Sequence, residues 1–438
     1  MRAFSARKAR SGLATHEWGA VEAGETGGAT RSDSGVLGAG NGVTSGFQLP
    51  LSGVRVLDLT TFVFGPYATQ ILGDFGADVI KVEPPDGDLT RVIGPSRNPG
   101  MSAIYLGCNR NKRSIVLDLK REDARAALWR LIDGAEMFVH NIRPQKIAGL
   151  GFTPAAVLER NPRIVYGGLH GYREEGPYGG RPAYDDVIQG QSGIAALFTE
   201  RDGAPQLVPS AIADKNAALI ASSGLAAAYV QRLRTGMGLY VECSMFEGLV
   251  SYNLVENQYG AIFSPSEGEA GYPRTLSPHR RPHQTLDGYL CMLAFTDSQW
   301  RAFWKLAGSP EAADDPRFAT MAERSRNISA LYEVASKIIA TRSTTEWLEL
   351  FEKADVPAGP INSLADVRND PHLNALEFFR PFEHPTEGQM EIPDTPYRFD
   401  GQSLPVRRGQ PCLGEHGREV LAEIGMSEED IDAALGDT

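Results

Sequence analysis

From Leu51 to Gly167 the chain alternates short β-branched, apolar runs with amphipathic stretches, and this alternation restricts the fold more than any other feature. The runs Leu51–Thr60, Asp78–Glu83, Ser114–Leu119, Glu136–Asn141 and Arg163–Gly167 have the composition of strands. Between them lie Phe64–Gly76, opened by a Gly-Pro turn that sets Pro66 near the first helical position, the amphipathic Glu122–Gly134, and Pro154–Arg160. Strand and helix in turn predict an α/β fold, a mainly parallel sheet covered on both faces. A longer Ala-rich run at helical spacing begins near Ser210 and stops at Thr235-Gly-Met-Gly238, a glycine stop. One carboxylate, Asp214, stands at its mouth, where an Asp ordinarily caps the helix.

The length of 438 residues calls for two lobes. Residues 1–47 are rich in Gly, Ser, Ala and Thr, mix both charges and hold no apolar signal segment, which predicts a disordered extension. A large domain is expected over 48–235, followed by a strand and a Gly-, Ser- and Pro-rich linker over 236–276. A smaller domain over 277–370 contains a hairpin-like strand pair at Thr285–Ala294 and helices at Asp297–Leu306, Asn327–Thr341 and Thr344–Ala354. The rest, 371–438, is a linker and a C-terminal segment with helices at Leu413–Gly425 and Glu428–Leu435.

Several function classes are disfavoured. A net charge of −12 argues against nucleic acid, although a local basic pocket could still hold a small anion. No apolar stretch is long enough to span a bilayer. The four cysteines are far apart, without metal-ligand spacing, and read as reduced, mostly buried thiols of a cytoplasmic protein; no metal is expected. Glu83 ends the second strand where a ribose-binding acid would stand, but Thr61-Phe-Val-Phe-Gly-Pro66 lacks the glycines that admit a pyrophosphate. Neither nicotinamide nor flavin is expected.

Five stretches carry a resemblance to the family III CoA-transferases, the group of formyl-CoA transferase, carnitine CoA-transferase and the α-methylacyl-CoA racemases. They are Leu51–Leu59 with Gly65-Pro66; Leu72–Pro85 with Gly87-Asp88 and Arg91; Asn109–Ile115 running into Leu117–Lys120; Gly176-Pro-Tyr178 with Pro182–Asp185; and Leu413-Gly-Glu-His416. The resemblance covers the chain from about Leu51 onward. It implies an interlocked homodimer, each chain with a Rossmann-like large domain, completed by the C-terminal segment, and a smaller α+β domain. The substrates would be an acyl-CoA and a small carboxylic acid.

By the same resemblance Asp214 is the covalent nucleophile, an Asp already ionised at pH 7 and placed among free helix N–H groups. Leu117, Lys120, Asn141, Gly149 and Leu150 map to coenzyme A contacts, and Tyr184 to a position near the thioester. Lys112, Arg113 and Arg91 are nearby basic candidates for its phosphates. The racemase branch places a proton-transferring His at the position of Tyr184; a phenol is a poor base at neutral pH, which favours transferase over racemase. His170, at a strand end, is the weaker acid–base candidate. Phe62 and Phe64 add bulk before Gly65-Pro66 and imply an altered acyl pocket, and Arg173 replaces a usual glycine. The flap region 276–288 lacks a glycine run and offers His279, Arg280, Arg281 and His283, a cluster suited to a second carboxylate and hence to a dicarboxylate substrate. A racemase-type enzyme and a non-catalytic CoA-binding paralogue are the alternatives.

Overall fold

The computed structural model describes residues 47–436, so the extension expected over residues 1–47 lies, apart from Phe47, outside the described residues. Six strands form the central sheet: β1 Arg55–Leu59, β2 Asp78–Glu83, β3 Lys112–Val116, β4 Met137–His140, β5 Val165–His170 and β6 Leu239–Ser244. Their order is β3-β2-β1-β4-β5-β6, every neighbouring pair parallel. This is the doubly wound arrangement, in which the strand order reverses between β1 and β4. The sheet reaches past the boundary expected at 235, because β6 pairs with β5 and the Ile212–Thr235 helix is the crossover between them.

Successive residues of β1 enter opposite layers, as a two-residue period demands. Val56 joins the core built with the Phe64–Asp74, Ile212–Thr235 and Met245–Asn257 helices, through residues such as Leu72, Leu225 and Leu249. Leu57 joins the core on the other face, with Leu128 from the Glu122–Asp133 helix and Val420 and Ile431 from the C-terminal helices Gly417–Glu423 and Glu428–Leu435. The long crossover helix ends where Gly236, at φ 74°, returns its N–H to Arg232 O at 2.8 Å. Gly65 lets this layer close on the sheet, since a Cβ there would lie 2.2 Å from that of Thr60.

A third core stands apart over residues 290–356. Trp300, Phe303, Trp304, Trp347 and Phe351 pack together there. It is edged by a three-stranded antiparallel sheet of His283–Gln284, Tyr289–Met292 and Ala358–Pro360.

Toward the carboxyl ends of β1 and β2, and reached by Lys112 from the start of β3, lies a set of buried charges. Asp58 accepts from Lys112 Nζ at 2.9 Å and from the hydroxyls of Thr60 and Thr69. Lys81 Nζ donates to Asp88 at 2.9 Å and to Thr60 O at 2.8 Å. Arg91 binds both oxygens of Glu83, at 2.7 and 2.6 Å, and its guanidinium lies 3.8 Å from the centre of the Tyr105 ring. Burial alone would raise the Asp58 pKa, but the Lys112 and Lys81 ammonium groups bring it below its ordinary value.

These contacts correct three expectations. Lys112 is fully buried, and Arg91 and Arg113 are each 3% exposed. Arg113 is spent on Asp78, Glu419 and Glu423, clamping the first C-terminal helix to the sheet. Lys112, Arg113 and Arg91 are therefore internal counter-charges, with no free face for a coenzyme phosphate. Lys112→Met would remove the direct ion pair of the buried Asp58, leaving it the threonine hydroxyls and the more distant Lys81 charge; chemical denaturation should show a loss of roughly 3 kcal/mol of stability.

Candidate active site

In open α/β sheets the crevice forms at the carboxyl ends of the strands where the order reverses. Here the turns after β1 and β4 meet at that point. Thr61 N donates to Asn141 Oδ1 at 3.0 Å, and Asn141 Nδ2 returns a bond to Thr61 O at 2.8 Å. A cavity of about 370 Å³ opens beside this pair, its walls including Phe62, Asn141 and His170 and the exposed Tyr184. Phe62 adopts φ 65°, a left-handed conformation that costs a non-glycine residue roughly 1–2 kcal/mol. Its N–H is held by Asp88 Oδ1 at 3.2 Å, and its ring meets that of Tyr184 edge-on at 5.4 Å between centroids. The buried charge Asp88 thus holds a strained residue in the cavity wall.

Three cations line the same cavity. Arg143 and Lys146, at the start of the Pro144–Gly149 helix, are exposed and have no ion-pair partner among the described residues. Arg181 stacks over Tyr178 at 4.5 Å. Sequence reading missed all three; the signal available was Asn141-Ile-Arg-Pro-Gln-Lys146, which puts two basic residues just past a strand end.

Asp214 differs from its expected setting. The helix starts at Ile212 with Ala211 at the cap position, so Asp214 lies in the first turn rather than at the cap. The capping oxygen comes from another helix, Asp185–Gln191: Asp185 Oδ1 accepts from Ala213 N at 2.7 Å and from Asp214 N at 3.0 Å. The helix N–H groups expected to stabilise charge on Asp214 are thereby occupied, and the Asp214 carboxylate has no hydrogen-bond donor among the described residues. Burial first, and the Asp185 charge second, push its pKa up to about 7. The expectation of an Asp already ionised at pH 7 is corrected: near neutrality the group is about half protonated. Asp214 adjoins the cavity through the consecutive pair Tyr184-Asp185.

The other candidates separate. Phe62, Asn141 and Tyr184 line the cavity, whereas Phe64 is 4% exposed in the core. Leu117 is 1% exposed in the opposite core, which leaves only its backbone to a ligand. Lys120 is exposed just before the Glu122–Asp133 helix, and Gly149 and Leu150 end the Pro144–Gly149 helix; none of these lines the cavity. The basic loop of the smaller domain borders a second cavity of about 520 Å³, lined by Arg280, Arg281, His283 and Cys291 among others. Its members are not equivalent. Arg281 pairs with Asp202 at 2.7 Å, while Arg280 is exposed and has no ion pair among the described residues. His283 is buried against Ser336 at 2.8 Å, and burial lowers its pKa, so it is neutral near pH 7 and corrects its expected role as an anion binder. The cysteines, expected mostly buried, are mixed: Cys243 is buried, Cys108 and Cys412 half-buried, and Cys291 exposed. No helix of the described residues is long and apolar enough to cross a membrane.

Comparison with known proteins places this geometry in context. The family model described as CoA-transferase family III matches residues 51–417. The chain is 34% identical over 379 residues to the succinyl-CoA:glutarate CoA-transferase of Mus musculus, covering 86% of each chain. It is 32% identical over 389 residues to the acetyl-CoA:oxalate CoA-transferase of Acetobacter aceti, covering 86% of this chain and 97% of that one. The crystal structure of a CaiB/BaiF family protein from Brucella suis matches with a TM-score of 0.71 and 32% identity, over 86% of this chain and 99% of that one.

The raised pKa of Asp214 has a signed consequence for stability. An acid whose folded-state pKa exceeds its ordinary value of 3.8 favours the folded state when protonated. That contribution is full below about pH 3.8 and is lost as pH rises toward 7. Asp214→Asn should therefore raise Tm, and by more at pH 8 than at pH 5.5. Asp185→Asn keeps a capping oxygen while removing the charge; the titration midpoint of Asp214, followed by NMR, should fall below about 7.

Proposed function

This chain belongs to CoA-transferase family III, and on that premise we propose that it moves coenzyme A from an acyl-CoA donor to a carboxylic acid acceptor through a covalent intermediate on Asp214. One observation carries the reading: a half-buried carboxylate with no hydrogen-bond donor among the described residues, near a second carboxylate and beside a cation-lined cavity at the switch point of the sheet. A carboxylate in water is a weak nucleophile because solvent donors hold its lone pairs. Basicity and nucleophilicity rise together, so the surroundings that raise the Asp214 pKa also make its ionised form more reactive.

The steps are substitutions at acyl carbons. An Asp214 oxygen attacks the donor carbonyl, the C–S bond breaks, and CoA thiolate leaves a mixed anhydride. The thiolate attacks the aspartyl carbonyl, releasing the donor acid and forming an aspartyl-CoA thioester. The acceptor carboxylate then displaces the thiolate to give a second anhydride, and the thiolate attacks the acceptor's acyl carbon, restoring Asp214. No electrons change hands, so the sequence of bonds requires neither nicotinamide nor flavin, and no metal takes part in it.

Arg143, Lys146 and Arg181 are the cavity's candidates for coenzyme phosphates, with Lys120 an exposed outlying one and Asn141 holding the crevice. For the acid, the relatives' names point to dicarboxylates, glutarate in one and oxalate in the other. Arg280 is the cation of the second cavity left to meet a distal carboxylate. An interlocked homodimer accounts for the apolar side chains exposed on the long crossover helix and the helix after it, among them Leu233 at 62% and Val255 at 83%. The four free thiols suit a cytoplasmic setting.

Two variants separate chemistry from binding. Asp214→Ala should lower turnover roughly a thousandfold or more; near-normal turnover in an acyl-CoA/acid assay would remove the nucleophile. Lys146→Ala should raise the KM for acyl-CoA roughly tenfold with kcat nearly unchanged, the signature of a lost charged contact. Across a panel of mono- and dicarboxylic acids, a dicarboxylate should give the highest kcat/KM.

A further inference from the structure

A cluster of side chains that the transfer chemistry does not use lies on β5 and β6, at the outer edge of the sheet. Parallel register sets Tyr166 opposite Tyr240 and Gly168 opposite Glu242, so His170, Tyr240 and Glu242 project from one face. Beyond β5 the chain folds back and brings Glu174 over them. Its N–H donates to Glu242 Oε1 at 2.6 Å, and Tyr240 Oη donates to Glu174 Oε1 at 2.9 Å.

A ring nitrogen of His170 and one oxygen from each of Glu174 and Glu242 all lie within 4.8 Å of one another. His170 is 6% exposed. Glu174 Oε1 makes an ion-pair contact with Nε2 at 2.9 Å, yet among the described residues this buried nitrogen has no hydrogen-bond partner. A buried imidazole nitrogen left in this way needs an explanation.

Among the described residues neither Glu174 nor Glu242 forms an ion pair with an arginine or lysine. Arg173, the nearest arginine in sequence, lies 3.7 Å from Glu175. His140, its ring 5.6 Å from that of His170, does not compete: its Nε2 is bonded to Tyr166 Oη at 2.8 Å, and its Nδ1 accepts from Ile142 N at 3.2 Å.

We propose that His170, Glu174 and Glu242 bind a divalent transition-metal cation of the zinc class, one imidazole nitrogen and two carboxylate oxygens being a ligand set suited to such an ion. Tyr240, bonded to Glu174, orients that ligand from the outer shell. The role is structural. His170, Tyr172 and Tyr184 all line the 370 Å³ cavity, so a cation here ties the segment that forms one of its walls to the edge of the sheet. The ligands are 4 residues apart at one end and 68 at the other, a spacing in which no sequence pattern for a metal shows.

The test uses the full-length protein, stripped with a chelator and titrated with Zn²⁺ by calorimetry and with Co²⁺ by visible absorption. One equivalent should bind, with a Co²⁺ spectrum free of thiolate charge transfer, and the affinity should fall roughly tenfold or more in His170→Gln and in Glu242→Gln. Melting curves of the metal-free variants check that each is folded. Should His170→Gln fail to fold, Glu174→Gln, at a side chain 39% exposed, carries the same expectation. A thiolate band, an affinity that neither glutamate variant alters, or the lack of saturable binding would overturn the site.

Discussion

The buried charges toward the carboxyl ends of β1 and β2, with Asp88 and Arg91 just beyond β2, are the constraint on which the site depends. Lys81 is 1% exposed, and its ammonium joins the carbonyl of Thr60 to the carboxylate of Asp88. Asp88 in turn holds the N–H of Phe62, and Phe62 forms the cavity wall with Tyr184. A non-glycine residue at positive φ persists only where its surroundings over-determine it. Here the interior charges do so, and each is matched by a partner of opposite sign, which is what makes their burial tolerable. Neutralising one member would therefore act on the cavity as well as on stability.

The second constraint is electrostatic and works by withholding interactions. Asp185 occupies the backbone donors at the start of the long crossover helix, so Asp214 sits beside a helix N-terminus without receiving its hydrogen bonds. A carboxylate that received them would have a lowered pKa and a quiet lone pair. This one is pushed up to about 7, which balances the reactivity of the ion against the fraction ionised near neutral pH. The sequence pattern Pro182-Ala-Tyr-Asp185 thus supplies both the aromatic ring at the cavity and the charge that raises the Asp214 pKa.

Most of the architecture was legible because it rests on local patterns. Asp78–Glu83, Pro154–Arg160, Asp297–Leu306 and Glu428–Leu435 fall where composition and spacing put them, since turn residues or caps bound each one. The site was legible unevenly. Asn141 and Phe62 follow strand ends and reach the crevice, as topology requires. Lys112, Arg113 and Arg91 look in sequence like solvent-facing cations near a phosphate site. Asp58 and Asp78 are 54 and 35 residues from Lys112 and Arg113, and the parallel pairing of β1, β2 and β3 brings them together, while the turn after β2 folds Arg91 back onto Glu83, 8 residues away. The cap of Asp214 was hidden for the same reason: its acceptor lies 29 residues upstream, on another helix. A one-dimensional pattern shows which residues are polar, but not which have already been neutralised by distant partners.

The claim that matters most is that the Asp214 carboxylate becomes acylated during turnover. Peptide mass spectrometry of protein incubated with an acyl-CoA and quenched with hydroxylamine measures this directly. The account predicts a hydroxamate on the peptide containing Asp214, formed only when acyl-CoA is present. A protein that transfers CoA to an acid at full rate while that peptide stays unmodified would contradict it.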